Sequence, residues 1–302
     1  MAVKQVRAKI NGTWYTATYN SSTGKYEATI TAPEKSSYTL SGHYYPVTVE
    51  ATDQAGNVTT KDASDTTLGE SLQLKVKENV APVITITAPT ASQLLTNNKP
   101  TITWKVTDAD SGVNSNTIGI TVDSGSKITS GITKTAITGG YQCTYTPATA
   151  LADGSHTIKI DASDNDGNAA TTKSVTFKVD TVPPTLSIAS PTDGLITNKA
   201  ACTVSGVTND VTSSPVTVTV QLNSGTATSV TVDSSGKFST DLTLTEGTNT
   251  ITIVAKDSAG KTTTITRKVT LDTAAPVIKS ASITPNPVDC GKTYVISIEV
   301  TD

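Results

Sequence analysis

The stretch "HTIKIDASDNDGNAATTKSVTFKVD" (residues 156–180) decides the fold class. Apolar and polar residues alternate up to Asp164 and Gly167, then alternate again, so the segment reads as two strands around a turn. "NTITIVAKDSAGKTTTITRKVTLD" (249–272) repeats the design, and "YYPVTVEATDQAGNVTT" (44–60), followed by "SLQLKVKE" (71–78), gives another version. An Asp-x-x-Gly frame recurs: Asp53 with Gly56, Asp164 with Gly167, Asp257 with Gly260. Asp accepts hydrogen bonds from turn amides, and Gly takes the positive φ that side chains resist. The frame therefore marks hairpin corners.

Outward from these hairpins, the chain is a series of repeats. "NVAPVITITAPT" (79–90), "TVPPTLSIASPT" (181–192) and "TAAPVIKSASITPNP" (273–287) each place proline before and after a short alternating strand. Proline lacks the N–H of a central ladder and belongs at strand edges and entrances. The linkers "VDTVPP" (179–184) and "LDTAAP" (271–276) are short and proline-stiffened, so they read as semi-rigid spacers. In "PTITWKVTDADSG" (100–112), Ile102, Trp104 and Val106 alternate with Thr103, Lys105 and Thr107. Four segments follow: a divergent, aromatic-rich β-sandwich module at 1–78, full modules at 79–180 and 181–272, and an incomplete module at 273–302. "TYVISIEVTD" (293–302) aligns with the second strand of a module, so the last segment supplies two strands. A lone pair of strands is marginal in water. The expectation is self-association, with 273–302 completing its sheet on another subunit by strand addition.

Composition points the same way. Of 302 residues only 35% are hydrophobic and 16% charged, with Thr, Val, Ile and Ser abundant. Side chains branched at Cβ suit a pleated, half-buried surface, so the chain is all-β, built of tandem antiparallel sandwiches. A net charge of −3 with mixed signs offers no basic patch for nucleic acid. No run of 18 apolar residues suggests membrane insertion, and the N-terminus has no secretory h-region. Synthesis in a bacterial cytoplasm is the expectation. Cys143, Cys202 and Cys290 lie far apart and read as free thiols compatible with a reducing compartment.

The entrances "APVITITAPT" and "PPTLSIASPT", the hairpins "ATDQAGNVTT" and "AKDSAGKTTT" and the strand "TITWKVTDADSG" resemble bacterial immunoglobulin-like domains of the group 3 type. The likeness covers 79–272 well, 273–302 as a fragment and 1–78 loosely. The order of modules resembles immunoglobulin-like virion and tail proteins of phages and prophages of Gram-positive gut bacteria. That resemblance implies a β-sandwich fold, adhesion or virion decoration, and no catalytic residues. Similar modules occur in surface adhesins and as spacers in secreted glycosidases, so fold constrains function weakly.

Enzymatic readings find little support. The only histidines, His43 and His156, fall in different modules, and no Gly-x-Ser-x-Gly or Gly-rich phosphate loop is present. Calcium rivals the turn reading of the acidic loops: "DASDNDGN" gathers Asp161, Asp164 and Asp166, and "TDADSG" adds Asp108 and Asp110. Against it, Asn57 and Asn168 follow the hairpin Gly but Lys261 replaces them in the third copy, an improbable metal ligand. Seven of 13 aromatic residues precede position 46. Among them Trp14, Tyr15, Tyr19, Tyr44 and Tyr45 would either stack on sugars or anchor a protein, or else form the small core of the first module. Strand alternation puts Trp14 opposite Tyr15 and Tyr19.

The function these features suggest is a non-enzymatic structural or adhesive component of a phage virion or tail-like particle, without a cofactor. Its partners would be other virion or tail proteins and a host-surface glycan or protein. The alternatives are a cell-surface adhesin or S-layer-associated stalk, and a spacer of a secreted carbohydrate-active protein.

Overall fold

A computed structural model describes residues 2–302. The chain is all-β, and among the described residues its only helical elements are short 3-10 turns such as Ser37–Thr39 and Gly69–Leu72. It divides into two compact units, residues 1–179 and 180–302.

The first unit begins with a five-stranded antiparallel sheet ordered Lys25–Glu27, Thr13–Asn20, Val3–Ile10, Thr48–Asp53, Val58–Lys61. A small two-stranded sheet, Tyr45–Pro46 with Gln73–Leu74, accompanies it. Residues 1–78 read in sequence as a sandwich, yet among the described residues Tyr45 is their one buried hydrophobic side chain. The physical reason is composition: strands such as "TWYTATYN" and "VTTK" carry too few aliphatic groups to seal a second layer.

Residues 79–179 form two packed four-stranded sheets. One is ordered Thr133–Ile137, Gly140–Tyr145, Ile102–Thr107, Val83–Ala88; the other Val113–Val122, Gly154–Asp164, Lys173–Val179, Leu94–Leu95. The chain thus leaves the first sheet after Ala88 and joins the second at Leu94–Leu95, which pairs in parallel with Lys173–Val179. Alternation sets the core: Ile102, Trp104 and Val106 are fully buried against Ile118, Ile120, Ile158, Ile160 and Phe177. Gly140 lies so close to the neighbouring strand that a Cβ there would stand 2.0 Å from the Val106 carbonyl oxygen.

The second unit repeats the plan. A three-stranded sheet, Thr185–Ser190, Ala201–Asn209, Lys237–Thr243, packs on a five-stranded one, Leu195–Thr197, Thr262–Leu271, Gly247–Lys256, Thr217–Leu222, Thr228–Val230. Leu195–Thr197 again pairs in parallel with the last strand. Val204, Val218, Phe238, Ile251, Ile253 and Val269 fill the interior. Beyond it, Val277–Thr284 and Val295–Thr301 make a two-stranded antiparallel sheet in which every residue is exposed. Val277, Ile283, Ile296 and Ile298 are among its apolar side chains open to solvent.

Candidate functional site

The Asp-x-x-Gly corners share one backbone geometry. Asn57, Asn168 and Lys261 donate backbone N–H groups to Oδ1 of Asp53, Asp164 and Asp257 at 2.9, 2.7 and 2.8 Å. Each Asp N–H returns a bond to the carbonyl four residues on, and Gly56, Gly167 and Gly260 take φ of 87°, 98° and 88°. Asp233 and Lys237 form the same ring around Gly236. The motif is first of all a turn, because the Asp carboxylate closes it. In Asp53 the Asn57 side-chain amide and then backbone N–H groups hold the carboxyl below the usual carboxylate range.

The corners differ at the second carboxylate oxygen. Asn57 Nδ2 donates to Asp53 Oδ2 at 2.9 Å, and Asn168 Nδ2 to Asp164 Oδ2 at 2.7 Å. Lys261 has no amide to offer, and Asp257 Oδ2 is buried without a hydrogen-bond partner. No ion pair among the described residues involves Asp257, so no cationic side chain compensates it.

Two of these corners sit where three loops converge at one end of a sandwich, the usual position of loops in such folds. In the first unit, Glu78 precedes the entrance strand, Asp108 follows Ile102–Thr107, and Asp164 ends Gly154–Asp164. Their carboxylates each bring an oxygen within 4.8 Å of the others. In the second unit, Asp180, Asp210 and Asp257 occupy the corresponding places with the same spacing, and all three are buried. Oxygen-only donors suit hard cations such as calcium or magnesium.

The other acidic residues singled out in the sequence lie elsewhere. Asp110 accepts from the Ser36 N–H and Asp166 from the Glu78 N–H, both tying residues 1–78 to the following module. Asp161 accepts from the Thr172 hydroxyl. Of the sequence candidates, then, only Asp108 and Asp164 come together. Glu78, Asp180, Asp210 and Asp257 were not singled out as ligands, although the recurrence of Asp at 108 and 210, just after equivalent strands, was a usable signal.

The aromatic candidates also separate. Tyr45 is buried and donates its hydroxyl to the Lys35 carbonyl at 3.1 Å. Tyr15 and Tyr44 are half-buried. Trp14 is exposed, with the Arg7 guanidinium 4.2 Å from its ring centroid. Tyr19 is 59% exposed and packs on Tyr26 with ring centroids 5.3 Å apart. Tyr15, Tyr19, Asn20 and Glu27 line an open concavity of about 590 Å³. His43 stacks on Tyr38, while His156 is enclosed between Asp123 and the Ala152 carbonyl at 2.9 and 2.7 Å. Among the described residues no helix is long and apolar enough to cross a membrane.

Two closed sandwiches with this strand exchange define a protein of tandem immunoglobulin-like modules. Residues 82–181 match the family described as "Bacterial Ig-like domain", and residues 184–273 match "Glucodextranase, domain B". No curated protein matches the sequence. Among solved structures, the fibronectin(III)-like modules of Clostridium thermocellum CbhA are 17% identical, with 63% of this chain and 94% of that chain covered and a TM-score of 0.35. Immunoglobulin domains 1–4 of Sidekick-1 are 11% identical over 90% and 68% of the chains, with a TM-score of 0.38. Titin domains are likewise 11% identical over 87% and 85%, with a TM-score of 0.39.

Proposed function

We propose that this chain is a non-catalytic structural and adhesive protein of a phage virion or tail-like particle, in which tandem immunoglobulin-like modules carry an exposed aromatic surface. The observation that carries this reading is a contrast between modules. In 79–179 and 181–272 the apolar residues close two sandwich cores, while residues 2–78 leave Trp14, Tyr19 and Tyr26 in solvent on one sheet. Trp14 with Arg7 on one face of that sheet, and Tyr19 packed on Tyr26 on the other, each suit a sugar face or a protein epitope. The phage setting is supported by the resemblance in module order.

The absence of a catalytic role is supported by how the chemically able groups are used. His156 is enclosed by two structural hydrogen bonds, and Cys143 and Cys202 are packed into cores. Exposed apolar residues on the sheet of Val277–Thr284 and Val295–Thr301 support pairing with a further strand, in this reading from a second copy. A second reading, a spacer in a carbohydrate-active protein, is favoured by the match of residues 184–273 to glucodextranase domain B.

Immunogold electron microscopy of lysates from cells making the protein tests the setting: label on particles supports the proposal, and label confined to cell envelopes or secreted enzymes overturns it. A glycan and host-envelope binding screen of the full chain tests the surface. Binding lost in Trp14→Ala or Tyr19→Ala is expected, and binding indifferent to both removes that surface from the function.

A further inference from the structure

We infer that Asp180, Asp210 and Asp257 form a calcium site, assembled at one end of the second unit from three loops. The inference stands on the second unit's own geometry and does not depend on the functional reading above.

Asp180 is fully buried, Asp210 8% exposed and Asp257 5% exposed, with one carboxylate oxygen of each within 4.8 Å of the others. Like charges that close repel strongly in the low dielectric of a protein interior. Hydrogen bonds answer only part of this charge. Asp180 Oδ1 accepts from the Val182 N–H at 3.2 Å and Oδ2 from the Ser213 hydroxyl. Asp210 Oδ1 accepts from the N–H groups of Thr212 and Ser213 at 2.8 and 2.7 Å. Asp257 Oδ1 accepts from Lys261 N–H at 2.8 Å, and Oδ2 accepts from nothing. A buried carboxylate oxygen without a donor is costly unless a cation meets it.

The free oxygen follows from one residue. At Asp53 and Asp164 the following Asn supplies a side-chain amide to Oδ2; at Asp257 the corresponding residue is Lys261, which contributes only its backbone N–H. In sequence this Lys looked incompatible with a metal. In the folded module it leaves a carboxylate oxygen available, because its long side chain forms no ion pair with the acidic group and so does not compete.

The three loops are also held in register. The Ser258 N–H donates to the Ser213 carbonyl at 3.0 Å, linking the Asp210 and Asp257 loops, and Ser213 links onward to Asp180. The donor set is entirely oxygen and contains no His or Cys, which excludes soft-metal chemistry. Calcium accepts irregular shells of oxygen ligands in which carbonyls and waters complete the carboxylates, whereas magnesium demands near-ideal octahedra. The group around Glu78, Asp108 and Asp164 differs, since Asn168 satisfies both Asp164 oxygens and Glu78 accepts from the Ser111 N–H at 2.7 Å.

The test is calorimetric, on the full chain stripped with a chelator. Titration with calcium chloride is expected to give heat, and free calcium of about 1 mM to raise the melting temperature of the second unit by roughly 4 °C or more. Asp257→Asn is expected to abolish both effects, and Asp164→Asn to retain them. Lys261→Asn recreates the amide of the other corners; it is expected to keep the fold and weaken calcium binding by ~10-fold or more. No heat and no thermal shift at about 10 mM calcium overturns the inference. Calcium affinity unchanged in either Asp257→Asn or Lys261→Asn overturns it equally, and Lys261→Asn keeps the test open should Asp257→Asn fail to fold.

Discussion

Ile160 and Ile253 occupy equivalent positions, four residues before Asp164 and Asp257, and each is wholly buried in its own core cluster. Ile160→Val and Ile253→Val each delete one methylene. Transfer of that group alone is worth ~0.8 kcal/mol, and the small cavity left behind brings the expected loss to about 0.5–1.5 kcal/mol. For domains of this size each kcal/mol moves the midpoint by roughly 4–8 °C, so a drop of about 2–12 °C is expected. Differential scanning calorimetry of the full chain reads it directly. Because the clusters share no residue, each variant should shift only its own module's transition. Equal movement of both transitions by either variant would refute the assignment of separate cores. A shift below about 1 °C would refute the packing argument.

Gly140→Ala, with its Cβ 2.0 Å from the Val106 carbonyl oxygen, should cost ~2 kcal/mol or more in urea denaturation; a neutral result would mean the two strands separate easily. Burial pushes the Cys143 thiol up to about 11 and raises that of Cys202, whereas Cys290 is exposed. A thiol reagent should therefore label Cys290 alone in the native chain and all three thiols in denaturant. Burial opposes the charged form of His156, but the Ala152 carbonyl and Asp123 together outweigh it and raise its pKa. A raised folded pKa gives stability that is complete below the ordinary value of 6.5 and fades as pH rises through the folded one. His156→Asn should flatten that dependence in the first unit, since Asn249 fills the equivalent place in the second by bonding to the Thr245 carbonyl at 2.7 Å. An undiminished pH slope in the variant would assign it to other groups.

Much of the fold was legible because a period of two has few interpretations. The alternation around Trp104, before Asp164 and before Asp257 places the same side chains in the observed cores. The strand exchange was not legible: Leu94–Leu95 and Leu195–Thr197 are too short to show a period, and parallel pairing with the last strand is a long-range event. Nor did sequence show that residues 2–78 bury little, because the same Thr- and Tyr-rich alternation serves a covered or an open sheet.

For the acidic loops, local spacing favoured Asp161, Asp164 and Asp166 because they are neighbours in "DASDNDG". Positions three apart on a strand face opposite sides, however, and Asp166 lies past the strand's end, so Asp161 and Asp166 turn to Thr172 and Glu78. By itself, the sequence determined that the chain is all-β and that Asp-x-x-Gly closes its hairpins, since each of these is a local preference of backbone and side chain. Only the tertiary structure decided which carboxylates meet. Asp180, Asp210 and Asp257 are 30 and 47 residues apart, and only the packing of two sheets brings their loops to one end. It also decided that Lys261 leaves Asp257 Oδ2 open, because a hydrogen bond absent from a buried oxygen can be recognised only when every surrounding donor is in place.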